Sequence, residues 1–149
     1  SHRYKRERSF TDSHKVNKLK LSHQRKEALN ELKQLLCELD KYVDVVIVEG
    51  LRDVESVKAL GCTANLDVLS HTGVNDFDLA DELTAKYSNV LVLTDFDEEG
   101  LNLNKRFTGI LEHKGAHVET GLRLRIGRLM AQIGVYAIES LDNIADTSV

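Results

Sequence analysis

Two short runs rich in β-branched residues, VDVVIV at residues 43–48 and VLVL at residues 90–93, each break off into acid and glycine, as VIVEG and LVLTDFDEEG. Apolar runs of this length, bounded by polar residues, read as strands buried on both faces, the kind found in parallel sheets. A parallel pair cannot be joined by a tight turn and needs a crossover, usually a helix, between its strands. The sequence between and around the two runs must therefore supply helices.

It does so in alternation. Ahead of the first run, Ala28, Leu32, Leu35, Leu36 and Leu39 recur at helical spacing, predicting an amphipathic helix over 23–39. Behind it come a helix around Val54 to Leu60 stopped by Gly61, a short strand around Leu66 to Leu69, and a helix from Asp76 to Tyr87. After VLVL, a longer helix from Glu99 to His113 ends at Gly115, and AHVE at 116–119 reads as a weaker strand. The segment LRLRIGRLMAQIG reads as one more amphipathic helix, followed by an extended or helical tail. With no proline anywhere, element boundaries rest on Gly, Asp and Asn. The expected class is α/β, a central four-stranded, mostly parallel sheet flanked by helices, with an N-terminal amphipathic helix.

Charge is distributed unevenly. Residues 1–26 hold nine Lys or Arg against two acids, Glu7 and Asp12, whereas residues 27–149 hold eleven bases against twenty-two acids, a formal net of −11. A basic arm on an acidic body fits phosphate contacts, because each neutralised phosphate releases counterions, and it equally fits a solvated leader. No apolar run approaches the roughly 20 residues of a membrane helix, and no apolar h-region follows the basic start, so a cytoplasmic protein is expected. Ser1-His2 without an initiator Met reads as a tag remnant. Cys37 and Cys62 lack CxxC spacing and read as plain thiols.

The acids that end the two runs carry the chemistry. In an open α/β sheet the ligand crevice lies beyond the carboxyl ends of the strands, which puts Glu49 on the same edge as Asp95 and Asp97. Asp95 and Asp97 are two apart on nearly extended chain, so their side chains leave on one side. Clustered carboxylates repel one another unless a divalent ion neutralises them, and magnesium, with manganese as a substitute, takes such oxygen ligands together with substrate phosphate. Gly50 and Gly100 would let a phosphate approach the backbone, and the helix opening near Gly100 adds a positive dipole end. Taken singly, each acid also fits a turn or helix cap.

At these residues the sequence resembles the Toprim family, the catalytic domain of topoisomerases, bacterial-type primases, recombination-repair proteins and the 5S ribosomal RNA maturation nuclease. VIVEGLRDVESVKALG resembles its first motif, with Glu49 in place of the acid/base glutamate. VLVLTDFDEEG resembles its second, with Asp95 and Asp97 in place of the metal-binding DxD. The resemblance is strongest to small stand-alone Toprim proteins similar to the maturation nuclease. It implies a Rossmann-like Toprim domain over 42–120; by charge and periodicity a basic, partly flexible leader at 1–22 and a helix at 23–41 precede it, and a helical extension at 121–149 follows it. Phe96 and Leu101 stand where the nuclease and topoisomerases carry Pro and Glu, and Leu51 stands where the nuclease carries Lys.

The implied activity is magnesium-dependent phosphodiester cleavage of RNA or DNA, with Glu49 as acid or base and Glu49, Asp95 and Asp97 on the metal. Arg52, His71 and Thr72 are candidate phosphate contacts, and Asp53 and Glu99 are secondary site candidates for which helix capping is the simpler account. Arg123, Arg125 and Arg128, with Lys105 and Arg106, fit a basic rim for nucleic acid and equally fit a solvated face. Tyr4, Tyr42, Tyr87 and Tyr136 lie outside any motif, which argues against topoisomerase chemistry in this chain. A non-catalytic nucleic-acid-binding module and a receiver-like or phosphatase-like acidic domain are the alternatives.

Overall fold

The computed structural model describes residue 20, residues 22–70 and residues 74–147. In chain order these form α1 (22–38), β1 (Val45–Val48), α2 (Leu51–Ala59), β2 (Leu66–Val68), α3 (Asp76–Lys86), β3 (Asn89–Val92), α4 (Glu98–His113), β4 (His117–Val118), α5 (Thr120–Ile133) and α6 (Leu141–Thr147). Short 3₁₀ turns occupy Leu39–Lys41 and Ile138–Ser140. The strands form one sheet in the order β2-β1-β3-β4, with every pairing parallel. The α/β class and the four-stranded sheet are as the sequence implied. Apart from Lys20 and Ser22, the basic leader expected at 1–22 lies outside the described residues.

All four residues of β1 are buried, and the alternation of side chains across the pleat explains why an unbroken apolar run is needed. Val45 and Ile47 pack with Leu79 and Leu83 of α3 and with Phe107 and Leu111 of α4. Val46 and Val48 face the other way, into a core shared with Leu32 and Leu36 of α1, Val57 of α2 and Ile126 and Met130 of α5. The third strand and the residue after it do the same, with Val90 and Val92 on the α3–α4 side and Leu91 and Leu93 on the α1–α2–α5 side. Each such side chain contributes about 1.5–3 kcal/mol of transfer free energy.

Several boundaries differ from the sequence reading. The first strand starts at Val45 rather than Val43, and just ahead of it the Asp44 carboxylate accepts the Ser88 and Asn89 amides, both at 2.9 Å. Helix α2 begins at Leu51 rather than Val54, its first turn wound by the Gly50 amide donating to Asp53 Oδ2 at 3.0 Å. The strand expected at 116–119 shortens to His117–Val118. Helix α5 closes at Gly134, whose φ of 93° lets the Val135 amide return to the Met130 carbonyl at 3.0 Å. The tail then folds back on α2, where Ser56 Oγ donates to the Glu139 carbonyl at 3.0 Å and Ile138 and Leu141 are buried.

This sheet order creates the functional edge. From β1 the chain steps one way to β2, and β3 then enters on the opposite side of β1, so a crevice opens beyond the carboxyl ends of β1 and β3. Both acidic motifs end at that crevice.

Candidate metal centre at the strand ends

Strands β1 and β3 run level, with Ile47 beside Val92, and the Leu93 amide donates to the Ile47 carbonyl at 2.7 Å. The residues that follow emerge side by side. The Asp95 amide donates to Glu49 Oε1 at 3.3 Å, which joins the end of one motif to the end of the other. Asp95 is itself oriented from below by the tail, because the Ile138 amide donates to its Oδ1 at 2.8 Å. Asp97 caps α4, its Oδ1 accepting the Gly100 amide at 2.7 Å. Each carboxylate is thus steered through one oxygen, and Glu49 Oε2, Asp95 Oδ2 and Asp97 Oδ2 lie outside those bonds.

The electrostatics are those of clustered negative charge only partly offset by Arg123. Burial, then the charge of Asp95, raises Glu49 above the ordinary glutamate value. Burial also raises Asp95, opposed by the Ile138 amide and reinforced by Asp97 and Glu139. Asp53 is raised by burial first, with Asp95 and Glu139 adding to it. Among the described residues no three acidic, His or Cys side chains converge closely enough to enclose an ion by themselves. The donor set nonetheless fits magnesium, which takes hard oxygens, keeps several waters, and is usually completed by one or two carboxylates and a substrate phosphate.

The remaining sequence candidates separate clearly. Asp53 is 7% exposed and caps α2 through the Gly50 amide, so its bonding is that of a cap even though its charge belongs to the acidic group. Glu99, with Glu98, is exposed in the first turn of α4, where acids favour the helix dipole. Arg52 is exposed on α2 and lines a polar cleft with Glu55, Glu139 and Asp142. A side chain at Gly50 would meet only Ser70 Oγ, at 3.8 Å, so its backbone is open to approach. At Gly100 the reason for glycine is internal, because a Cβ would fall 2.1 Å from the Asp95 carbonyl oxygen. His71 and Thr72 lie outside the described residues.

The expected basic rim needs correction at Arg123. That residue is 6% exposed, with Nη1 donating to the Val92 and Thr94 carbonyls at 3.1 and 2.9 Å and Nη2 to the Asp95 carbonyl at 3.3 Å. Its guanidinium also lies 4.3 Å from the centroid of the Phe96 ring. Burial pulls its pKa down to about 10 against the attraction of Glu49 and Asp95. Arg123 therefore terminates β3 from beneath. Its spacing to Ile126, Met130 and Ile133 was a signal of burial available in the sequence. Nothing in the sequence pointed to the Ile138 amide. Of the other rim residues, Arg106 pairs with Asp76 and Arg125 with Glu31, both at 3.1 Å, whereas Lys105 and Arg128 are exposed.

The family model described as the Toprim domain matches residues 44–121. The chain is 32% identical over 116 residues to a UPF0292 protein of Methanosarcina barkeri, covering 76% of this chain and 79% of the relative. A UPF0292 protein of Thermococcus sibiricus is 34% identical over 117 residues, covering 77% and 88%. Among solved structures, a protein from Aquifex aeolicus superposes with a TM-score of 0.60 at 24% identity, covering 74% of this chain and 95% of that one, a likeness of fold.

Proposed function

Because the chain belongs to the Toprim domain family, as the match over residues 44–121 shows, we propose that it cleaves phosphodiester bonds of RNA or DNA with magnesium held by Glu49, Asp95 and Asp97. Family membership carries a metal-dependent, nucleic-acid-related role. The nuclease reading is supported above all by the Asp95 amide on Glu49 Oε1 at 3.3 Å, which brings the acid/base candidate and the metal-binding pair into one crevice.

Magnesium bound there supplies neutralisation of the carboxylates and polarisation of a phosphoryl oxygen. The chain's own groups do the rest. Asp95, held by the Ile138 amide, and Asp97, held by the Gly100 amide, each keep one carboxylate oxygen outside those bonds for the metal. Glu49, raised by burial and by Asp95, is suited to take a proton from an attacking water at Oε2 or to return one to the leaving oxygen. Exposed Lys105 and Arg128 would meet the phosphate backbone, as would the basic residues within 1–26.

A second reading, a metal-dependent binding module without turnover, is favoured by Leu101 at the position where related nucleases carry Glu. Incubation with labelled structured RNA, single-stranded DNA and duplex DNA separates the two. Cleavage with magnesium or manganese, abolished by chelator and by Glu49→Gln, supports the nuclease. Metal-dependent binding without cleavage of any substrate supports the module and overturns the nuclease.

A further inference from the structure

Beside the carboxylates, between the start of α4 and the outer face of α5, lies a groove of about 450 Å³, within the size range of roughly 300–1,000 Å³ common to small-ligand sites. Its inner wall includes Phe96, the residue between Asp95 and Asp97, and its outer walls include Leu101 and Leu124. Both leucines are exposed, at 49% and 62%. The Phe96 ring is held in place on two sides. Arg123 lies over it at 4.3 Å, and Gly127 approaches so closely that a Cβ there would fall 2.6 Å from Cε1. Around the apolar walls stand Asn104 and the exposed Arg128. Thr108 Oγ1 donates to Asn104 Oδ1 at 3.2 Å, leaving the Nδ2 hydrogens outside that bond.

We propose that this groove receives one unpaired nucleobase of the strand whose phosphate lies at Asp95 and Asp97, an inference that rests on the nucleic-acid reading above. Three observations select that occupant. A base is a flat heterocycle with apolar faces and a hydrogen-bonding edge, which matches leucine and phenylalanine walls with an amide and a guanidinium among them. The wall carries the exposed Arg128, positive charge set against an anionic strand, on a body that is net acidic over residues 27–149. The groove also starts next to the carboxylates in the chain, because Phe96 on its wall stands between Asp95 and Asp97. A base inside a duplex cannot enter without unstacking, so the groove makes the protein select single-stranded or looped nucleic acid.

The test uses the full chain in calcium or magnesium buffer with short single-stranded oligonucleotides, each carrying one abasic position, and with the matching duplex. One abasic position is expected to weaken binding on the order of tenfold, and that position effect is expected to disappear in Leu124→Asp. Because the chain has no tryptophan, Leu124→Trp places a single fluorophore at the groove, and its emission should be quenched by the intact oligonucleotide and not by the abasic one. Oligonucleotides that are bound or cut with no abasic position effect and no response to Leu124→Asp overturn the base site while leaving the nuclease reading intact. Oligonucleotides neither bound nor cut by the wild-type chain overturn both. A wild-type dimer that Leu124→Asp dissociates assigns the groove to a second copy and likewise overturns the base site.

Discussion

Gly127 of α5 lies against the ring of Phe96 so closely that a Cβ at Gly127 would sit 2.6 Å from Cε1 and 3.0 Å from Cδ1. The pair is a lock between the strand-end loop and the helix behind it. Gly127→Ala should therefore destabilise the fold by about 1–3 kcal/mol through overpacking. In a Phe96→Ala background the same substitution should cost little. Urea unfolding of the two single variants and the double variant measures the coupling, which should be about 1 kcal/mol or more.

Asp97 combines two duties that can be separated. Asn caps a helix about as well as Asp, so Asp97→Asn should keep the Gly100 amide satisfied and leave stability within about 0.5 kcal/mol, while weakening magnesium binding and activity. Asp97→Ala should lose both, with about 1 kcal/mol of stability. Equal loss of stability in the two variants would show that the charge, not the cap, holds the start of α4.

Gly100 tolerates nothing larger. With a Cβ falling 2.1 Å from the Asp95 carbonyl oxygen, Gly100→Ala must push α4 off β3 and should cost about 3 kcal/mol in urea unfolding. Thr94 Oγ1, which donates to the Gly100 carbonyl at 2.7 Å, would lose its partner in the same movement.

The acidic crevice predicts opposite pH trends with and without metal. Glu49, Asp53 and Asp95 are raised in the folded chain above ordinary values of 4.5, 3.8 and 3.8. The folded state then binds protons more tightly than the unfolded state. Their contribution to metal-free stability is greatest below those ordinary values and falls as pH rises through the raised ones. Magnesium should restore the loss, so the gain in Tm on adding it should grow from mildly acidic to neutral buffer. At a concentration a hundredfold above Kd the gain corresponds to about 2.7 kcal/mol. In Asp95→Asn the gain should shrink, and a gain independent of pH would place the ion elsewhere.

The sheet and the acid positions were legible because both depend on local pattern. An apolar run such as Val45–Val48 can be satisfied only between two layers, and an acid at its carboxyl end is carried to the sheet edge by topology. What was not legible depends on distant chain. The Ile138 amide reaches Asp95 across 43 positions, and a backbone donor leaves no trace in residue type. Arg123 looked like one of several surface bases in LRLRIGRL, although its place on the stripe with Ile126 and Met130 marked it as inward-facing. Gly100 was assigned to phosphate approach, whereas its cause is the Asp95 backbone.

The matched segment ends at residue 121, yet Arg123 and Ile138, the two residues that fasten Asp95 from below, come after it. A fragment excised at that limit would retain Glu49, Asp95 and Asp97 while shedding the props that aim one of them. Transplanting the motif into another scaffold faces the same demand: the helix and the returning tail have to travel with it.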